Sequence, residues 1–306
     1  MTRHCLRRLL LTIPVLLGVA TLVFSLIHLV PGDPVQAMLG ESASPAEVEL
    51  LRARLGLDRP LAAQYVAFIT GAATGNLGTS LRTNQSVAGA IAERMPATFA
   101  LAVTAMVIAV LIALPLGIVA AVRAGTLVDH VAITGAMFGI SMPTFWLGPL
   151  LAIVFAVWLG WLPVSGYGTV AHVVLPAVTL GAPLSAVLAR ITRASLLEEL
   201  REPYVLAARA RGVSGARAVI NHALRNSLIP IVTVLGLQLG SVLTGAVITE
   251  TIFAWPGVGR LLVQAIAARD YPTVQGCILF IAVTYVAVNL VIDLLYGVLD
   301  PRIRHE

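Results

Sequence analysis

Few residues in this chain have the type and spacing that catalysis requires. The sequence holds neither an H-E-x-x-H zinc-binding motif nor a G-x-S-x-G nucleophile elbow, and Ser141 lies in an apolar stretch with no neighbouring base. All 20 basic residues are arginine. Because a P-loop uses a lysine to reach the terminal phosphates of a nucleotide, the chain is not expected to bind ATP in that way. We therefore predict a protein that is not an enzyme and has no catalytic or metal site of its own.

Polar side chains inside apolar stretches are stronger candidates for function, since burying them in a bilayer is costly without a partner. Asp293 and Asn289 lie one helical turn apart and share a face. Gln238 lies between Gly236 and Gly240, whose spacing permits two helices to approach closely. These three polar residues could line a transport path. The alternative is a structural contact between helices or, for Asp293, with an arginine near the inner end of its helix.

The composition is that of a membrane protein. Hydrophobic residues make up 58% of the 306 residues and charged residues only 11%, with a mean hydropathy of +0.92. Soluble domains have about 45–50% apolar and about 25% charged residues. We therefore predict an all-α integral membrane protein surrounded by lipid. Its arginines flank apolar runs rather than form a solvated patch, so no nucleic-acid partner is expected despite a pI near 9.8.

Six stretches approach or exceed the roughly 20 apolar residues that a membrane-spanning helix needs. The third is long enough to tilt or kink at Pro143 and Pro149, and the fourth is expected to be broken by Pro176 and Pro183. The predicted spans are Leu9–Val30, Ala97–Val122, Val131–Trp158, Val173–Ala189, Ser227–Thr249 and Gly276–Leu299.

The arginines also predict how the chain is oriented. A cleaved signal peptide is the alternative for the first stretch, but 22 apolar residues exceed the usual 7–15 and no A-x-A-like site follows. With the N-terminus inside, the inner segments hold 13 of the 20 arginines and the short outer loops hold only Arg260 and Arg269. This asymmetry predicts that both termini lie in the cytoplasm. Cys5 and Cys277 would then lie on opposite sides, which disfavours a disulfide.

Three divisions of the chain follow: 1–30 with the first span, an external segment 31–96, and a core 97–306 that includes a cytoplasmic loop 190–226. The external segment is predicted to be helical, because Ser44-Pro45-Ala46-Glu47 reads as a capping box, Gly56 stops that helix and Asp58-Arg59-Pro60 starts another. A passive linker is the alternative. Between the last two spans, Phe253 and Trp255 suggest an interfacial or partly re-entrant stretch.

The cytoplasmic loop carries a short helix with clear boundaries. Pro203 suits a first helical position and Gly212 a helix stop, with strong helix formers between them. Its alanines give little side-chain bulk, and Arg209 and Arg211 suit the negative end of the helix dipole. Two turns of helix are marginal in water, so a partner that buries them would supply stability. An ordinary solvated connector is the alternative.

This loop resembles the EAA loop of binding-protein-dependent ABC permeases, and the whole chain resembles the first permease subunit of the dipeptide/oligopeptide/nickel importer family. The family's glutamate is replaced by Leu206, and a consensus proline by Arg225. The matching stretches are Ala207-Ala208, Gly212, His222–Pro230, Pro31-Gly32-Asp33-Pro34, Leu55–Leu61, Gly78–Arg82, Glu93–Thr98, Glu250–Phe253, Pro256–Arg260, Asn289–Tyr296 and Asp300-Pro301-Arg302.

The resemblance implies a type I importer permease in which a coupling helix, about 203–212, docks on a cytoplasmic ATPase. The implied contact residues are Glu202, Pro203, Tyr204, Ala207, Ala208, Arg209, Arg211 and Gly212. The implied partners are a second homologous permease, two ATPase subunits that bind ATP and magnesium, and an extracytoplasmic peptide-binding protein. Family members carry di- and oligopeptides, and some carry nickel, glutathione or haem. An ion-gradient-driven secondary transporter is the alternative function, although such proteins usually need several intramembrane acids.

Overall fold

The structure, a computed structural model, describes residues 2–29, 33–40 and 43–299. Within them, the regular secondary structure is helical apart from one isolated β-bridge between Thr79 and Ser86. Two helices continue into π-helical turns, α7 through Ala152–Trp158 and α10 through Ala218–Ala223. The helices are α1 (Thr2–Leu29), α2 (Pro34–Leu39), α3 (Pro45–Leu55), α4 (Leu61–Ala73), α5 (Val87–Val122), α6 (Leu127–Ser141), α7 (Thr144–Leu151), α8 (Val170–Glu199), α9 (Pro203–Ala210), α10 (Gly215–Arg217), α11 (Leu224–Ile252), α12 (Val258–Ala267) and α13 (Tyr271–Leu299).

Five described helical stretches are long and apolar enough to cross a membrane, and a sixth crossing results if α6 and the α7 stretch form one broken span. The five are Leu10–Leu29, Val87–Val122, Val170–Glu199, Gly215–Val242 and Tyr271–Ile292. The expected bend at Pro143 is confirmed as a 105° break between α6 and α7. Met142, held extended before the proline, cannot continue the helix.

Helix α8 corrects one prediction, because it runs unbroken through Pro176 and Pro183. Neighbouring helices stabilise a helix around a proline inside a membrane protein, and Pro176 itself is buried. The helix also extends ten residues past the predicted end at Ala189, with Thr192 and Leu196 fully buried along the added turns. Hydropathy alone missed this extension because charged residues interrupt it.

The chain divides into two compact units. The first comprises residues up to 98 and Pro256–Leu290. In it, α1 packs through Ala20 and Val23 against α4 and α13, while Val87 of α5 packs with Val258 and the buried Cys277. The cysteine thus packs as a small hydrophobe.

The external segment contains the helices that its sequence predicts. The backbone N–H of Ser44 donates to Glu47 at 2.8 Å and the Ser44 hydroxyl accepts from the Glu47 N–H at 3.3 Å, which confirms the capping box. These bonds lower the pKa of Glu47. Gly56 ends α3 with φ +67°, and α4 begins after Pro60. These elements support a structured helical segment rather than a passive linker.

The second unit comprises Phe99–Trp255 and the chain from Val291 onward. Helices α5 and α8 touch through glycines: a Cβ on Gly117 would lie 2.5 Å from the Thr192 Cβ, and one on Gly181 would lie 2.8 Å from the Ala105 carbonyl oxygen. Ile231 of α11 packs into the same apolar cluster as residues of α5 and α8. The three helices therefore form the core of this unit.

The aromatic residues at the end of α11 are buried within the protein. Phe253 is 1% exposed and Trp255 is 3% exposed, with the Trp255 ring packed edge-on against Tyr167 at 4.8 Å between centroids. These two side chains contact the protein itself, and the interfacial or partly re-entrant location of the stretch stays a prediction. A facing tyrosine and the surrounding helices provide protein contacts that sequence proximity does not reveal.

Candidate coupling site

Helix α9 has the boundaries that its sequence predicts. Glu202 is the extended residue before the helix and Pro203 occupies the first position, where its missing N–H costs nothing. At the other end Gly212 adopts φ +85°, a left-handed conformation that most residues avoid. The N–H groups of Gly212 and Val213 then donate to the carbonyls of Arg209 and Ala208 at 2.9 and 3.2 Å. Two turns of helix are thereby fixed in a loop.

One face of α9 is buried in the chain's own core. Val205 is fully buried and Ala208 is 1% exposed. Val205 belongs to the apolar cluster where the ends of α5 and α8 meet the π-helical turn before α11. The implied contact of Ala208 with a partner is therefore not available in this arrangement. A short helix needs a packed face to be stable, and here the chain supplies that face itself.

The opposite face of α9 is exposed and is termed the docking face. It presents Leu206, 53% exposed, together with exposed Ala207, Arg209, Ala210 and Arg211. The Arg211 guanidinium donates to the Ala207 carbonyl at 3.3 Å. Apolar surface beside two cations and no carboxylate suits an apolar and acidic groove on another protein.

Tyr204 fastens α9 to both flanking helices. Its hydroxyl donates to Glu199 of α8 at 2.5 Å and accepts from the Asn226 amide of α11 at 2.9 Å. Burial, and next the hydrogen bond to Glu199, raise the pKa of Tyr204 to about 12. The phenol thus keeps its proton, and its donor role, at neutral pH. Sequence reasoning named Tyr204 but missed Glu199 and Asn226, which lie 5 and 22 residues away.

An ion pair connects α8 to the start of α6. The Arg193 Nε and Nη2 atoms donate to the two oxygens of Asp129, each at 2.6 Å, and the Gly125 N–H donates to the same carboxylate at 2.9 Å. Asp129 is 2% exposed. Its place in the first turn of α6 also suits the helix dipole. Sequence reasoning missed this pair; the one available signal was a lone acid before the third predicted span and arginines after the fourth.

The polar residues proposed for a transport path have fewer described side-chain partners than the residues around α9. Gln238 is 9% exposed, and its Oε1 has no hydrogen-bond partner among the described residues. A Cβ on neighbouring Gly236 would lie 2.9 Å from Ile292, which confirms close helix approach there. Asn289 donates to the Tyr285 carbonyl of its own helix at 2.9 Å. Asp293 lies in α13, but its side chain falls outside the described residues.

Two family models match the chain. Residues 113–305 match the family described as binding-protein-dependent transport system inner membrane component, and residues 1–102 match the N-terminal family of such membrane components. The first match alone covers more than half of the chain and includes the whole of α9.

Individual relatives are similar over the full length. The di/tripeptide transport system permease protein DppB of Pseudomonas aeruginosa (strain UCBPP-PA14) is 46% identical over 98% of each chain. The dipeptide transport system permease protein DppB of Escherichia coli (strain K12) is 43% identical, and the glutathione transport system permease protein GsiC of Escherichia coli O6:H1 is 45% identical, each over 100% of both chains. The crystal structure of an amino acid ABC transporter with histidines matches with a TM-score of 0.52 at 19% identity, over 70% of this chain and 94% of that chain.

Proposed function

Because this chain belongs to the family of binding-protein-dependent transport system inner membrane components, we propose that it is a permease subunit of an ATP-driven importer of short peptides. The carrying observation is 43–46% identity, over at least 98% of the chain, to permeases named for di/tripeptide, dipeptide and glutathione transport. All three named substrates are peptides of two or three residues. These relatives give no support to an ion-gradient-driven transporter.

The other subunits follow from the same membership. We propose that a second homologous permease completes the path, that two cytoplasmic ATPases bind ATP and magnesium, and that an extracytoplasmic protein delivers the peptide. The absence of lysine, which a P-loop needs, supports placing ATP hydrolysis in another subunit. The arginine asymmetry supports a cytoplasmic location for both termini and for α9.

The geometry of α9 supports a mechanical role. Its docking face is free to receive a partner, while its inner face and Tyr204 are fixed to α5, α8 and the start of α11. A displacement of α9 by the ATPases would therefore pass directly to the ends of three helices. We propose that this displacement converts the permease between inward- and outward-facing states.

Introducing a charge on the docking face tests this proposal. Ala207→Glu should reduce ATP-dependent peptide uptake about tenfold or more, because a carboxylate enters an interface suited to apolar and cationic groups. Uptake is measured in vesicles containing the complete transporter, alongside thermal melting of the purified complex. The matched control is Ala216→Glu, an equally exposed alanine outside α9, which should transport like the wild type. Wild-type uptake by Ala207→Glu would contradict docking through α9.

The energy source is tested separately. Uptake should require ATP on the α9 side of the membrane and should persist when ionophores collapse the proton and sodium gradients. Uptake that follows an ion gradient and ignores ATP would establish the alternative, a secondary transporter. This outcome is independent of any effect of the α9 variants.

A further inference from the structure

The first unit contains a cavity of about 370 Å³ that the coupling mechanism does not use. It lies among α1, α3, α4 and the first turns of α13. Its apolar part includes Phe24, Ile27, Phe68 and Leu77, and its polar part includes Arg54 and Arg59. The cavity is thus amphipathic, with two cations beside a surface of aromatic and aliphatic side chains.

The cavity lies at the level where the first membrane span ends. The apolar span of α1 runs from Leu10 to Leu29, and the cavity is bounded by its last turns. On another side of these turns Leu22 and Leu29 are 70% and 75% exposed, as lipid-facing residues would be. Phe24 contacts Tyr65 and Phe68 of α4, with ring centroids 5.3 and 5.8 Å apart. Tyrosine, the polar member of this group, is common at the boundary between hydrocarbon and headgroups.

The two arginines of the cavity differ from the other arginines of the external segment. Arg52 pairs with Asp33 at 2.5 Å, and Arg82 and Arg94 donate to backbone carbonyls. The guanidinium groups of Arg54 and Arg59 have no hydrogen bond or ion pair with any described residue.

We infer that this cavity binds a phospholipid of the adjacent membrane leaflet, with its phosphate held by Arg54 and Arg59 and the start of an acyl chain packed against Phe24 and Phe68. Guanidinium groups match the geometry and charge of a phosphate, and basic pockets between membrane helices bind lipid headgroups. A soluble acidic partner would satisfy the arginines but would leave the apolar part of the cavity without a complement. The inference requires membrane insertion only and does not depend on peptide transport.

Lipid retention by the purified protein tests the site. The full-length chain, with its co-purifying subunits, is delipidated stepwise in detergent and the remaining phospholipid is counted by native mass spectrometry. Arg54→Gln combined with Arg59→Gln should lower the affinity for the last retained phospholipid about thirtyfold, since each arginine near the phosphates contributes a factor of about five. Ala67→Phe, which fills the cavity without changing its charge, should also displace the lipid. Arg123→Gln combined with Arg217→Gln removes two exposed arginines elsewhere and should retain it.

A second measurement on the unaltered protein guards against variants that fail to fold. A phospholipid with a photoreactive acyl chain should label peptides from α1 and α4 that border the cavity. Labelling that leaves those peptides unmodified would overturn the inference, as would wild-type lipid retention by the glutamine variant. Displacement of the lipid by inorganic phosphate would show a free-anion site instead. Unchanged lipid retention with weakened binding of the extracytoplasmic protein would assign the cavity to that protein.

Discussion

Two carboxylates, one in each compact unit, are almost equally buried but are held by different kinds of partner. Asp129 is 2% exposed and faces the guanidinium of Arg193. Asp270 is 4% exposed and accepts from the Ser80 and Thr273 hydroxyls at 2.6 and 2.7 Å and from the Leu81 N–H at 3.2 Å. All three of these donors are neutral.

The difference in partners shows how each carboxylate stabilises the fold. The side chain of Arg193 is 30% exposed, whereas Ser80 and Thr273 are 6% and 3% exposed. The Asp129 pair depends on opposite charges and joins α6 to α8 within the second unit. The Asp270 network depends on geometry and joins the loop before α5 to the start of α13 within the first unit.

The largest effect is expected from removing the Asp129 carboxylate. Asp129→Ala leaves the Arg193 guanidinium and the Gly125 N–H without their acceptor, and should lower the free energy of unfolding by about 3 kcal/mol. Denaturant titration of the purified protein in detergent measures this change. Asp58→Ala, at an exposed carboxylate, is the matched control and should change it by less than about 0.5 kcal/mol. A change at Asp129 as small as the control's would show that the ion pair contributes no stability.

Replacing each aspartate by asparagine keeps the shape of the side chain and removes its charge, so the two variants distinguish the effect of charge from that of geometry. Asp129→Asn removes the charge that Arg193 pairs with and should cost about 2 kcal/mol. Asp270→Asn should cost only about 1 kcal/mol, because its partners carry no charge and the Thr273 hydroxyl can rotate to accept from the new amide. The same titration compares the two variants. An equal or greater cost at Asp270 would remove the distinction between the two sites.

An equally small effect is expected from removing a single donor of the Asp270 network. Thr273→Val keeps the shape of the side chain but removes one hydrogen bond to the carboxylate, and should cost about 1 kcal/mol. Thr273→Ser retains the hydroxyl and should recover most of that loss. If valine and serine behave alike, the hydroxyl is not a stabilising donor and the network is weaker than its distances indicate.

Much of the architecture could be predicted from local sequence signals. Apolar length located the spans, and Pro203 with Gly212 bounded α9, because these residues act on the backbone where they stand. The predicted breaks at Pro176 and Pro183 are wrong. A proline usually interrupts a helix, but neighbouring helices can support the helix around it. Local signals therefore predict helix ends in loops better than breaks inside packed helices.

The candidate site was predicted in position but not in orientation. Nothing in the two turns of α9 distinguishes Ala207 from Ala208, yet the first is exposed and the second is buried. The choice is made by residues such as Leu196 and Ala218, which reach α9 only through the fold. The pairing of Asp129 with Arg193, 64 residues apart, is equally inaccessible to a reading of sequence neighbours.

The glycine contacts between α5 and α8 restrict how these two helices can move relative to each other. At Gly117 and Gly181 the two helices approach so closely that not even a methyl group fits between them. Rotation of one helix about its axis would press its flanking side chains into the backbone of the other. We therefore expect the two helices to tilt together as one rigid body. A push delivered at the α9 end would therefore be carried along the length of both helices instead of being absorbed by slippage at their interface.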